Sequence, residues 1–296
     1  MKTKYYLAFM GIATLASCSK DSDPTPEPEP TPIVASSFVS KLIDYQPAPG
    51  QFINTDLGTV SAANTVIGKK TGLVSLGAWG GSIVLGFDHT VINQADKDDI
   101  IIYGNPLPTF AEPGIVWVMQ DTNGNGLADD IWYEVAGSEF NKTGYQRNYS
   151  VTYTKPAAAT DPVPWKDSDG KTGVIQTHPQ FHDQAYFPVM KDKDGKTITE
   201  YTIKGSKLSA SNIDTTIPSM VTSKAFDWGY ADNLMDGDKI DIANAVDQAG
   251  NKVALKGINF IKIQTGVMGN MGLLGELSTE VSGVEDISLI KVASTK

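Results

Sequence analysis

One cysteine in 296 residues, Cys18, excludes an internal disulfide framework and any cysteine-based zinc cluster. Histidine is almost as scarce. The three, His89, His178 and His182, fall in no His-Glu-x-x-His helix. A Gly-x-Ser-x-Gly elbow and a phosphate-cradling glycine loop are missing too, so the common signatures of nucleophilic and phosphoryl-transfer catalysis are absent. Basic residues are outnumbered, 24 Lys and Arg against 34 Asp and Glu, and the net charge of −10 argues against a nucleic-acid partner. Helical periodicity is scarce: the best candidate is one short turn in "DIANAVDQAGN", closed by Gly250. No repeat of fixed period appears, which argues against a propeller or a solenoid.

What the chain does carry begins at its N-terminus. "MKTKYYLAFMGIATLASC" sets two lysines before a short apolar run that ends Leu15-Ala16-Ser17-Cys18. The run is too short to span a bilayer and reads as a signal peptide, residues 1–17, closing on a lipobox whose cysteine is lipidated. Residues 18–35 then form an anchor and linker, "SKDSDPTPEPEPTP", whose alternating prolines favour a semi-rigid polyproline stalk. The acids just behind Cys18 resemble the surface-export signal of Bacteroidetes lipoproteins, which implies the outer face of the outer membrane. The sequence leaves a periplasmic location open.

Residues 36–296 read as one body. Short runs such as "SIVLGFD", "DIIIYGN", "GIVWVMQ", "RNYSVTYT" and "INFIKIQTG" are rich in β-branched and aromatic residues and are bounded by Gly, Asn, Asp and Pro. Many short strands without intervening helices predict an all-β fold. The expected form is an antiparallel β-sandwich of jelly-roll type with long loops and few short helices.

Between two strand-like runs lies "DTNGNGLADD". Asp121, Asn123 and Asn125 occupy alternate positions, Gly126 permits a sharp turn, and the Leu127 carbonyl comes next, with Asp129 and Asp130 behind. That is the first half of a calcium loop, in which several oxygen ligands converge on a hard cation. Trp132 stands where an EF-hand has its bidentate glutamate, so the expectation is a compact structural calcium site between strands. The plain alternative is an Asx-rich hairpin held by side-chain-to-backbone bonds. "KDSDGKTG" and "KDKDGKT" lack a third ligand and read as turns.

Trp117 and Trp132 lie inside strand patterns and are assigned to the core. Trp165 is flanked by prolines, and Trp228 and Tyr230 alternate in "FDWGYADN", so these three are the candidate ligand platform. His178 and His182 sit in a long loop where Pro179 opposes a helical metal site, which leaves them to contact ligand amides. Met268 and Met271, on the glycine-rich stretch "TGVMGNMGLLGE", offer adaptable apolar contact or edge packing. No carboxylate stands in an obviously apolar setting. Glu112, in "FAEPGIV", comes closest.

The ordered set "LVSLGAWGGSIVLGFDHTV", "DDIIIYGNPL", "EPGIVWVMQDTNGNGLADDIWYEVAGSE", "FDWGYADN", "FIKIQTGV" and "LGELSTEVSGVEDI" spans residues 73 to 287. It resembles a family of exported β-sandwich lipoproteins of gut Bacteroidetes encoded beside corrinoid uptake systems. The resemblance implies a non-enzymatic surface protein that binds cobalamin or a related corrinoid and delivers it to an outer-membrane transporter. It supplies no ligand-binding residue. Two other readings stay open: a carbohydrate-binding module that stacks glycans on the same aromatics, and a glycoside hydrolase or lyase with paired carboxylates.

Overall fold

The computed structural model describes residues 35–290. The signal segment, Cys18 and the stalk to residue 34 lie outside the described residues. The first part of the body holds β1 (Lys41–Gln46), α1 (Val60–Asn64), β2 (Val74–Ser75), β3 (Ser82–Ile92), β4 (Ile100–Tyr103), β5 (Gly114–Met119) and β6 (Trp132–Val135). A middle group follows as β7 (Gln146–Thr154), β8 (Val163–Asp167), β9 (Thr172–Ile175) and β10 (Glu200–Lys207). Next come β11 (Ile213–Asp214), β12 (Thr222–Ser223), β13 (Tyr230–Ala231), β14 (Asp238–Ile240) and β15 (Ala245–Val246). The chain closes with β16 (Gly257–Thr265), β17 (Glu280–Val281) and β18 (Gly283–Asp286).

The fold is an all-β sandwich of antiparallel sheets with few, short helices, as the strand patterning predicts. Its main sheet runs β1-β3-β16-β5-β6-β15, with β13 added on β5. Every pairing between named strands is antiparallel, so side chains alternate between two faces, apart from irregularities at Leu42/Asp44 of β1 and Ile258/Phe260 of β16. One face carries Ile83, Leu85, Val116, Val118, Ile261 and Ile263. These pack against Ile100, Ile102, Ile240 and Val284 of the three-stranded sheet β14-β4-β18 to make the largest core cluster. A second cluster lies under the four-stranded sheet β10-β7-β8-β9. There Tyr149, Val151, Tyr153 and Ile203 surround Trp79, whose ring meets Tyr149 edge-on at 4.8 Å. Burial of these apolar faces is the main stabilising term.

The glycine-rich stretch "SLGAWGG" threads between the two clusters because its backbone must pass close to other backbone. A Cβ on Gly77 would sit 2.1 Å from the Ala48 carbonyl oxygen, at a φ of +77°. Both the space and the left-handed conformation demand glycine here. Gly77→Ala is therefore expected to destabilise the fold by more than ~1 kcal/mol. Chemical denaturation checks this, and an unchanged midpoint would contradict the packing described.

Candidate functional site

A cavity of about 680 Å³ opens among loops at one end of the sandwich. Its walls are apolar: Phe52, Phe110 and Phe181 face Leu273 and Leu274, with Leu107 at the edge. Several of these are strongly exposed, Phe181 at 67% and Leu273 at 64%, although their neighbours are core residues. Met271 closes the wall from behind, 4% exposed. The floor is polar and is built by Glu112, Ser278 and Glu280.

That floor follows from how three strand ends meet. Glu112 precedes β5, Asp232 follows β13, and Glu280 begins β17 opposite Ser75 of β2. Asp232 joins them. Its Oδ1 accepts the Asn105 N–H at 2.9 Å, its Oδ2 accepts the Glu280 N–H at 2.8 Å, and its carbonyl accepts the Glu112 N–H at 2.9 Å. Asp232 holds a left-handed φ of +53°, and a Cβ on Gly104 would lie 2.2 Å from its Oδ1, so Gly104 leaves that carboxyl its room. Ser278 donates its N–H to Glu112 Oε1 at 3.1 Å and its hydroxyl to Glu280 Oε1 at 3.0 Å. The Glu112 and Glu280 carboxyl oxygens face each other across the floor, within 4.8 Å.

Carboxyl oxygens of Glu112, Asp232 and Glu280 lie within 4.8 Å of one another, and this is the one such group among the described residues. Burial pushes Glu112 up to about 8, and the Asp232 charge adds to the rise against the hydrogen bonds it accepts. Burial, reinforced by neighbouring carboxyls, lifts Asp232 and Glu280 well above the usual carboxylate range. Burial alone brings nearby Glu276 to about 7. These three groups are placed to share a cation. The backbone amides on both Asp232 oxygens favour its ionised form and oppose the burial that raises it.

The residues singled out from sequence disperse over the molecule. His182 lines the cavity and meets Phe52 edge-on at 5.3 Å. His178 lies 3.1 Å from the Gly272 carbonyl through Nε2, which ties its loop to the far wall. Trp165 and Met268 border a separate, smaller pocket of about 150 Å³ with Glu276. Trp228 is 48% exposed beside another shallow groove. Tyr230 corrects the sequence expectation, since it is 2% exposed. Its strand pairs with β5, its ring packs on Phe226 at 5.5 Å, and its hydroxyl accepts the Glu139 N–H. With Gly229 turning the chain at φ +89°, Trp228 and Tyr230 do not share a face. Trp117 is half-buried and packs against a third core cluster that includes Ile115 and Leu208, as expected, whereas Trp132, half-buried on the same sheet face, belongs to no core cluster among the described residues.

No family model matches this chain, and no curated protein matches it either.

The 121–130 loop is exposed and internally bonded. Asp121 Oδ1 accepts the N–H of Gly124 at 2.7 Å, and Oδ2 that of Gly126 at 2.8 Å. Asn123 and Asn125 accept the N–H groups two residues on, Asn125 donates its amide to Asp129, and Asp130 accepts the Thr122 N–H. Lys41 ties the loop to the sheet by donating to the Gly126 carbonyl at 3.0 Å. Asx turns of this kind account for much of the surplus of oxygen-bearing side chains.

The raised carboxyls give stability a sign with pH. A group protonated in the fold but ionised in the unfolded chain contributes fully below its unfolded pKa, and loses that contribution as pH rises through its folded one. For Glu112 the window runs from 4.5 to about 8. His89, raised by Asp88 and Asp286 against the opposing effect of its burial, slopes the same way. The melting temperature is expected to fall between about pH 5 and pH 8, and Glu112→Gln to flatten the fall; a rising or flat wild-type profile would contradict the buried acid floor.

Proposed function

We propose that this chain is a non-enzymatic, lipid-anchored surface receptor. It holds a bulky, largely apolar small molecule in the 680 Å³ cavity and passes it to an outer-membrane transporter. The observation that carries the reading is the gathering of exposed Phe181, Leu107, Leu273 and Leu274 around one concave site with few polar groups at its floor. Exposed apolar side chains on a single cavity serve a ligand, because the same residues scattered over the surface would gain nothing from one another. The resemblance of the sequence favours cobalamin or a related corrinoid, whose one apolar face would rest on these walls while its peripheral amides donate to the acid floor. The anchor through Cys18 and the outer-membrane location rest on the N-terminal sequence alone.

The hydrolase alternative is weakened by the floor itself. Carboxyl oxygens of Glu112 and Glu280 lie within 4.8 Å of each other, whereas glycosidases keep their carboxyls about 5 Å or more apart to admit the sugar. The carbohydrate alternative built on Trp165, Trp228 and Tyr230 loses Tyr230 to the core.

Titration of the full chain with cyanocobalamin is expected to show saturable binding, weakened about tenfold or more by Leu273→Asp, since a charge placed on the apolar wall must be desolvated. Absence of binding to the wild type would overturn the corrinoid reading, and binding untouched by Leu273→Asp would overturn the choice of cavity.

Calcium at Asp121, Asn123, Asn125, Leu127, Asp129 and Asp130 is a narrower proposal. It is supported by the ordered, acidic turn in which Asp121 and Asn123 accept the backbone N–H groups of residues 124–126. A chelator is expected to lower the melting temperature of the wild type but not of Asp121→Ala. Identical melting curves with and without chelator would reject the ion.

A further inference from the structure

The face of the main sheet opposite its core carries a second site. The register aligns Asp44, Val84, Lys262, Trp117 and Glu134 as one row across β1, β3, β16, β5 and β6. Ala128, Asp130 and Ile131, at the end of the loop after β5, line this row together with parts of β7 and β10, around a groove of about 910 Å³.

Some of the groove's donors have no acceptor among the described residues. Trp117 Nε1 is buried and has no hydrogen-bond partner among the described residues. Lys262 makes no ion pair within 4.0 Å there, and neither does Lys204 on the facing wall. A buried indole N–H and an unpaired ammonium side by side are costly to leave unmet. Two carboxylates, Asp44 and Asp130, stand at the rim, so the groove offers acceptors as well and its charges roughly cancel. Arg147 is held in place, its Nη2 donating to the Asp247 carbonyl at 2.6 Å and its Nε 3.9 Å from Glu134. Trp132 adds aromatic surface beside Trp117.

We infer that this groove, floored by Trp117 and Lys262 and edged by Trp132 and Asp130, is a binding site for a neutral saccharide. A sugar ring presents apolar C–H faces to the indoles and many hydroxyls that both accept and donate, which matches free donors at the floor and carboxylates at the rim. A small anion would meet Asp44 and Asp130, and a purely apolar ligand would leave the floor donors unmet. In a chain of net charge −10, a polyanion is further disfavoured. The site is distinct from the apolar cavity, and it places the end of the 121–130 loop in the lining of a binding groove.

The test is calorimetric titration of the full chain with a panel of neutral oligosaccharides, repeated on Lys262→Met and Trp132→Ala after their melting curves show them folded. At least one neutral oligosaccharide is expected to bind, with each variant weakening it about tenfold or more. Leu273→Asp, in the apolar cavity, is expected to leave this binding intact, so failure here is distinguishable from failure of the receptor proposal. Lack of binding by any member at millimolar concentration overturns the inference, and so does binding that survives both groove variants unchanged.

Discussion

The parity of β16 governs the molecule. Its antiparallel register with β5, from Phe260↔Met119 to Thr265↔Gly114, and with β3 along its other edge, assigns every side chain on the main sheet to one of two faces. Ile261 and Ile263 go to the core, Phe260, Lys262 and Gln264 to the opposite face. A slip of one residue would exchange the two sets and place Lys262 against Ile100 and Val284. Burial of one face therefore fixes the chemistry of the other. The groove with its tryptophans exists because the isoleucines between them must be buried.

A second constraint acts at the end of the sandwich. Asp232 holds the backbones of Asn105, Glu112 and Glu280 together, and no cation pairs with it among the described residues. Carboxyls buried without a cation are held towards their protonated forms, and burial raises Glu112, Asp232 and Glu280 accordingly. The same arrangement that closes three loops around the cavity also gives the cavity a hydrogen-bonding floor.

The sequence made the strands legible because alternation and β-branched content survive any tertiary context. It did not reveal which face each strand turns to the largest core. Trp117 and Trp132 share the parity of Lys262 and Phe260 and turn away from the largest cluster; Trp117 instead packs against a third one and Trp132 against none. Only the pairing partner tells the two faces apart. Tyr230 fails in the reverse direction: two residues from exposed Trp228, it is drawn inside by pairing with Ile115. Glu112 did stand out, since a carboxylate beside proline and an apolar run is locally unusual. Phe52, Leu107 and Phe181 carried no signal, because a lone apolar residue in a loop says nothing until the loops converge.

Convergence of those loops is itself enforced, and this bears on what the cavity can do. Gln51 donates its N–H to Glu276 Oε1 at 2.8 Å and its side-chain amide to the Leu274 carbonyl at 2.7 Å. Asn54 donates to the carbonyls of Ala185 and Phe187 at 2.7 and 2.9 Å, and His178 grips the Gly272 carbonyl. The segments that bear Phe52, Phe181 and Leu274 are thus cross-linked to one another by hydrogen bonds, without a disulfide. Ordering loops on binding subtracts from affinity, typically by about 0.5–1.5 kcal/mol for each immobilised side chain. Walls already tied in place avoid much of that loss, so exposed leucines and phenylalanines can stay open to solvent in the unbound protein and still hold a defined shape for a ligand.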